Sequence, residues 1–291
     1  MECRIVQQFD ILVSSFSLII YSIYRIIAWI KLMKGEYYMA SYVMSDIHGN
    51  LNALESIFQQ INFTLDDNLY ILGDVIDRQN HGIYILQNLM RMRNVHMILG
   101  NHEYMMLQAI DPTFDNPVWE AMDEYAKKKS WYDMITIWYE NGGLETHKNF
   151  IMLNVYEQKF IIEFLKHLPT ERLIIVNEQK FILCHACPSF AYDQAIDIFP
   201  HLGYKSKIDF AVWDRKIIYN FAVSKSDIIT VAGHTPTPSI IPLENNERAQ
   251  VYHNGNLYIM DCGAAYDKKQ EDPFRLACIR LDDMQTFYSC K

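Results

Sequence analysis

Residues 42–50 read Tyr-Val-Met-Ser-Asp-Ile-His-Gly-Asn: a short apolar run, a turn carrying Asp46 and His48, and Asn50 opening a helical stretch that reaches Gln60. Strand, polar turn and helix in that order is the unit of a parallel α/β sheet, whose buried strands are near-continuous apolar runs. The unit recurs. Leu69-Tyr-Ile-Leu leads into Gly73-Asp74-Val-Ile-Asp77-Arg78 and a helix around Ile83 to Met92, and Val95-His-Met-Ile-Leu leads into Gly100-Asn101-His102-Glu103. Further apolar runs at 172–176, 180–184, 228–232, 257–260 and 276–280, some at hairpin-like spacing, predict a second, mixed sheet. The fold class is therefore α/β, with layered sheets and helices. The stretch from Glu103 to about Lys166 differs: it is helical in period, aromatic (Trp119, Trp131, Trp138) and broken by Asn141-Gly-Gly143. It reads as a helical insert flanking a cleft, with Lys127-Lys-Lys129 on a solvated face.

Five of the apolar runs end in groups that can bind a metal: Asp46 and His48, Asp74 and Asp77, Asn101 and His102, His185, and His234. Ligands of open α/β sheets bind beyond the carboxyl ends of the strands, so these groups converge in one crevice. A capping Asp or His explains one such strand end; it does not explain five. Gly49, Gly73, Gly100 and Gly233 flank the clusters, where sharp turns need close backbone approach. Carboxylate, imidazole and amide without thiolate suit Mn²⁺, Fe²⁺ or Zn²⁺ rather than Ca²⁺. Asp46-x-His48 can serve one ion, Asp74 can bridge two, and Asn101, His185 and His234 can complete the second.

Composition sets the outer bounds. Of 291 residues, 50% are hydrophobic and 13% aromatic, so a sizeable core forms and a disordered chain is excluded. Eleven Gly and nine Pro exclude a collagen-like chain. A net charge of −9 speaks against a non-specific nucleic-acid binder, which needs a basic face. The cysteines at 3, 184, 187, 262, 278 and 290 form no disulfide framework. Cys184-His-Ala-Cys187 has no second half and lies partly in a strand, so the thiols read as reduced and structural, in the cytoplasm. His81, His96, His147, His167, His201 and His253 belong to no motif and read as ordinary histidines.

Residues 1–38 form a separate, hydrophobic extension ahead of a single unit at 39–291. Residues 11–30 carry one charge, Arg25, in a hydrophobic stretch long enough for a membrane anchor. The competing expectation is that translation starts at Met39: Gly35-Glu36 can be encoded as a bacterial ribosome-binding sequence, and Met39-Ala-Ser-Tyr-Val-Met opens directly into a strand. Membrane association is expected only if the extension is real.

Asp46-x-His48-Gly49, Gly73-Asp74-x-x-Asp77-Arg78, Gly100-Asn101-His102-Glu103, the strand-terminal His185 and Gly233-His234-Thr-Pro together resemble the phosphoprotein phosphatase branch of the calcineurin-like metallophosphoesterases, in order and in spacing. Asn141-Gly-Gly, Leu168-Pro, Cys184-His-Ala, Val212-Trp-Asp-Arg215 and Asp261-Cys-Gly-Ala are similar to the bacterial and phage lambda-type serine/threonine phosphatases. The likeness spans nearly all of residues 40–281 and nothing before Met39.

The resemblance implies a β-sandwich core flanked by helices. It implies hydrolysis of phosphoric monoesters by a hydroxide bridging two divalent ions, Mn²⁺ foremost, with a phosphorylated protein or small phosphoester as substrate. Asp46, His48 and the bridging Asp74 would hold one ion; Asp74, Asn101, His185 and His234 the other. His102, oriented by Asp77, would protonate the leaving alkoxide, and Arg78, Arg215 and Asn101 would bind the phosphate. Glu103 reads as a structural support of the loop. The family usually places Gly directly after Asp-Arg; here the chain reads Arg78-Gln-Asn-His-Gly82, and Asn80 tolerates positive φ, so the turn is expected in altered form with larger groups near the cleft mouth.

The alternative is a symmetric diadenosine tetraphosphate hydrolase; those cousins generally lack the second aspartate and often read Gly-Asn-His-Asp, so Asp77 and Glu103 favour the phosphatase. A scaffold with a dead site would need a lost ligand, and none is lost. A nuclease would want a basic groove, and the charge disfavours it.

Overall fold

The computed structural model describes residues 39–199, 201, 203–224, 227–244, 247–266 and 272–290. The extension at 1–38, with both expectations attached to it, lies outside them. No helix among the described residues is long and apolar enough to cross a membrane.

Strands β1 (Ser41–Met44), β2 (Asn68–Ile71), β3 (Val95–Met97), β4 (Glu171–Val176), β5 (Gln179–Cys184), β6 (Ile228–Ala232), β7 (Tyr252–Asn254), β8 (Leu257–Ile259), β9 (Ala277–Arg280) and β10 (Gln285–Tyr288) form two five-stranded sheets. The first has the order β10-β9-β1-β2-β3, the second β4-β5-β6-β8-β7. In the first, β1, β2 and β3 run parallel, with Tyr42 opposite Leu69 and Leu69 opposite Val95, while β9 and β10 are antiparallel additions. In the second, β5, β6 and β8 run parallel and β4 and β7 pair antiparallel at the edges. Both sheets are thus mixed.

The sheets pack face to face. Val43, Leu72, Ile98, Phe181, Leu183, Val231, Met260 and Ile279 fill the space between them, all 1% exposed or less. Each such side chain contributes roughly 1.5–3 kcal/mol by leaving water. Helices cover both outer faces. Against the first sheet lie α1 (Leu51–Ile61), α2 (Gly82–Leu89), α3 (Asn101–Ile110), α4 (Glu124–Glu140), α5 (Leu144–Ile151) and α6 (Val155–Lys166). Against the second lie α7 (Tyr192–Ile198), α8 (Lys207–Trp213) and α9 (Ile217–Ser224). The layered β-sandwich expected from the sequence is the fold observed.

Local chemistry explains the starts of the helices. Asn50 caps α1 by accepting from the Ala53 N–H at 3.0 Å, and Ala53, Leu54, Ile57 and Ile61 form its buried stripe. Asn154 and Glu157 form a reciprocal capping box on α6. The break at Asn141-Gly-Gly143 separates α4 from α5, so the insert folds back on itself. The reading had no strand at β7 or β10 and no helix at α7 to α9. β7 and β10 are short and half exposed, without the apolar run that marks the inner strands.

Candidate active site

Six turns leave the carboxyl ends of the parallel strands β1, β2, β3, β5, β6 and β8 and meet at one rim of the sandwich. They carry Asp46 and His48, Asp74 to Arg78, Asn101 and His102, His185, His234, and Asp261. Asp46, His48, Asp74, Asp77, Arg78 and His234 all adopt positive φ, between 48° and 71°. Such left-handed backbone in non-glycine residues costs energy and gathers at functional sites. The turns are laced together: His48 N–H donates to Asp74 O at 2.9 Å, and Gly49 N–H to Val75 O at 2.8 Å. Two glycines are required by contact. A Cβ on Gly100 would stand 2.3 Å from Asp74 Oδ1, and one on Gly233 2.3 Å from Asp46 Oδ2.

Asp74 is central. Its Oδ2 faces His48 Nε2 at 3.5 Å and His102 Nε2 at 3.8 Å; its Oδ1 faces His185 Nε2 at 3.5 Å. Asn101 Oδ1 lies 2.9 Å from both His185 Nε2 and His234 Nδ1. Asp46 Oδ1 is 4.0 Å from His48 Nε2, and its carboxylate also accepts from the Ser45 hydroxyl and the His234 N–H. Asp46, His48, Asp74, Asn101, His102, His185 and His234 are each 4% exposed or less. Two sets of donor atoms are close enough to hold an ion each: His48, Asp74 and His102, and Asp74, His185 and His234. Asp74 is common to both.

The donor set fits divalent cations. His48 Nδ1 lies 3.0 Å from Ile76 O and His185 Nδ1 2.6 Å from Leu72 O, so each ring donates through Nδ1 and turns a bare Nε2 toward Asp74. A second-shell carbonyl that fixes the tautomer in this way is the usual support of a metal-binding histidine. His234 Nε2 is buried without a hydrogen-bond partner. Burial, followed by neighbouring positive charge, pushes the pKa of His48 and His234 well down, and burial takes His185 to about 3, so the imidazoles are neutral. Burial and then neighbouring carboxylates push Asp46 and Asp74 well up. Neutral imidazoles and crowded carboxylates in a dry site are a charge deficit that cations fill.

His102 points Nδ1 at Asp77 Oδ2, 2.7 Å away, with both side chains fully buried. Arg78 Nη2 stands 3.3 Å from His102 Nε2, and Arg215 Nη1 donates to His234 O at 3.0 Å. All the residues singled out in the sequence thus gather in one crevice. Glu103 lies beneath it, accepting from the backbone N–H groups of Asp74 and Val75 at 2.8 Å, Gly100 at 3.2 Å and Ile76 at 3.3 Å. The Arg78 turn takes an altered form: its left-handed residues are Asp77 and Arg78, and Arg78 N–H donates to Gly142 O at 3.2 Å and Gln79 N–H to His48 O at 3.1 Å.

Sequence reasoning missed four residues. Trp138 Nε1 donates to Asp77 Oδ2 at 2.9 Å, and Thr146 Oγ1 accepts from the Asp77 N–H at 3.0 Å. Both come from the helical insert. Asp261, at the end of β8, is 5% exposed and adds a carboxylate beside Asp46. Tyr266 Oη accepts from Arg78 Nη1 at 2.8 Å. Only Asp261 had a signal, as a sixth polar group directly after an apolar run.

A buried carboxylate–imidazole–amide cluster centred on Asp74, beside a His–Asp pair and two arginines, fits a metal-dependent phosphoesterase. The comparisons agree. The model of the calcineurin-like phosphoesterase family matches residues 39–263, and the chain belongs to that family. It is 28% identical over 185 residues to serine/threonine-protein phosphatase 2 of Salmonella typhimurium, covering 63% of this chain and 71% of that protein. That likeness supports the phosphoprotein phosphatase branch. It is 29% identical over 150 residues to the symmetrical bis(5'-nucleosyl)-tetraphosphatase of Wigglesworthia glossinidia brevipalpis, covering 51% of this chain and 44% of that protein. A solved metallophosphoesterase from Sphaerobacter thermophilus superposes with a TM-score of 0.47 at 16% identity, covering 86% of this chain and 87% of that one.

Proposed function

We propose that residues 39–291 form the catalytic domain of a serine/threonine protein phosphatase in the cytoplasm, working with two Mn²⁺ ions, Fe²⁺ and Zn²⁺ being the alternatives. The observation that carries it is the buried Asp77–His102 pair at 2.7 Å, set beside the Asp74 cluster. A phosphoserine or phosphothreonine ester leaves as an alkoxide and needs a proton, which a carboxylate-held imidazole supplies. In this reading Asp46, His48 and Asp74 hold one ion, and Asp74, Asn101, His185 and His234 the other. Bound there, the ions would supply positive charge to the phosphoryl oxygens and to a water made more acidic.

The protein's own groups do the rest. Arg78, beside His102, and Arg215, beside His234, present planar forks to the phosphate oxygens, joined by the Asn101 amide. Burial and then Arg78 push the His102 pKa well down. A phosphate bound beside Arg78 and His102 offsets that positive charge and favours the protonated imidazole, so substrate binding arms the acid. Asp77 holds the ring with Nε2 toward the leaving oxygen. The five cysteines among the described residues are free thiols, in keeping with a reducing compartment.

The relative from Wigglesworthia glossinidia brevipalpis favours a second reading, symmetric cleavage of diadenosine tetraphosphate. Protein starting at Met39, reconstituted with Mn²⁺, is assayed on a phosphothreonine peptide and on diadenosine tetraphosphate, with Asp74→Asn as the blank. Faster peptide hydrolysis is expected; faster dinucleotide cleavage overturns the proposal.

A further inference from the structure

Arg78 is held at the mouth of the crevice by contacts that the reaction itself does not require. Its Nη1 donates to Tyr266 Oη at 2.8 Å, and its guanidinium carbon lies 5.2 Å from the centre of the Tyr266 ring. Tyr266 ends a single 3₁₀ turn, Ala264–Tyr266, beyond β8 in the second sheet, whereas Arg78 follows β2 in the first. The turns are fastened to each other. Gln79 Nε2 donates to Ala264 O at 3.0 Å, and Asn50 Nδ2 donates to the same oxygen at 3.0 Å. The Tyr266 ring rests on Phe274, centroids 5.5 Å apart, and a Cβ on Gly263 would come within 2.6 Å of the Phe274 ring. The hydroxyl that receives Arg78 is therefore fixed from behind.

An arginine side chain is long and loses much rotamer freedom when it is fixed. If substrate alone ordered Arg78, that loss would come out of the binding energy. Here the outer edge of the guanidinium is already taken by Tyr266, while Nη2 stands over His102 Nε2 at 3.3 Å. We infer that Tyr266 is a positioning residue for phosphate: it sets Arg78 before substrate arrives, so that the remaining edge of the guanidinium meets the phosphoryl oxygens beside His102. The inference rests on the reading of Arg78 as a phosphate ligand. It adds that the second sheet, through Tyr266, 45% exposed at the rim, controls a ligand carried by the first.

Tyr266→Phe keeps the ring and removes the acceptor. Calorimetric titration of the Mn²⁺-loaded protein with inorganic phosphate should show the dissociation constant rising about three- to tenfold, the range a lost hydrogen bond gives. KM for nitrophenyl phosphate should rise in parallel, with kcat moving less than twofold, because ground state and transition state lose the same preorganisation. Arg78→Ala is measured alongside. In that background Tyr266→Phe should add nothing, the signature of a residue acting through Arg78. Unchanged phosphate affinity in Tyr266→Phe, tighter binding, or an additive loss in the double variant overturns the positioning role. Unchanged affinity in Arg78→Ala instead overturns the reading of Arg78, a separate result. Melting temperatures within a few degrees of the parent confirm that the variants are folded.

Discussion

Trp138→Phe is the sharpest test of how the acid pair is built. Trp138 is fully buried, and its Nε1 and His102 Nδ1 share one acceptor, Asp77 Oδ2, at 2.9 and 2.7 Å. Burial pushes the Asp77 pKa up to about 7, held from rising further by hydrogen bonds from Thr146 and Trp138 and by the Arg78 charge. A hydrogen bond to a charged group is worth about 1.5–3 kcal/mol, equivalent to about one to two pK units. Without the indole N–H the carboxylate is less stable, so its pKa rises and more of it is protonated at neutral pH. A protonated Asp77 cannot support the imidazolium form of His102. At pH 7 the ionised fraction should fall from about half to roughly 1–10%, and kcat on a phosphothreonine peptide by about five- to fiftyfold. The loss should shrink above pH 8.5 and be smaller for nitrophenyl phosphate, whose leaving group hardly needs a proton. KM should hold, since Trp138 meets no substrate. The assay is a pH profile of kcat on both substrates, with the melting temperature to separate misfolding from chemistry. Gly143→Ala is the converse probe: its Cβ would stand 2.3 Å from Trp138 Nε1 and must displace the indole. A Trp138→Phe protein with the parent kcat and pH profile refutes the reasoning.

Three further outcomes are expected. Asp74→Asn should reduce bound Mn²⁺ at both positions, measured by metal analysis after dialysis, and remove turnover; near-normal activity would refute the bridging role of a carboxylate that faces both His48 and His185. His102→Asn should slow peptide hydrolysis by about 10²–10⁴-fold and nitrophenyl phosphate much less; equal losses would argue against an acid. Glu103→Ala should strand the N–H groups of Asp74 and Val75, each now 2.8 Å from the carboxylate. It should cost roughly 3 kcal/mol or more, a drop of about 6–12 °C in melting temperature.

Much of the catalytic rim was legible because it is written in local units. Each inner strand is an apolar run buried on both faces, and its polar successor must lie at the rim whichever sheet the strand joins. Asp46, His48, Asp74, Asn101, His185 and His234 could be read one turn at a time. The same logic failed where the signal was not local. β10, Gln285–Tyr288, pairs with β9 through the turn at 281–284, and its burial comes from its neighbours rather than from an apolar run. Intrinsic preference makes Asn80 tolerant of positive φ, yet the left-handed residues of that turn are Asp77 and Arg78, where Arg78 N–H makes a tertiary hydrogen bond to Gly142 O.

The insert shows why site residues can hide in plain composition. Trp138 and Thr146 lie 61 and 69 residues from Asp77, and nothing in their own neighbourhood marks them as more than core. They matter because a buried carboxylate needs donors, and the strand turn that carries Asp77 has too few to offer. Even with Trp138 and His102 in place, Asp77 Oδ1 has no partner. An insert read as a wall beside the cleft therefore also holds the proposed acid pair through Asp77. Substitutions along the buried face of α4, remote from any phosphate, should register first as a displaced pH profile and only then as lost stability.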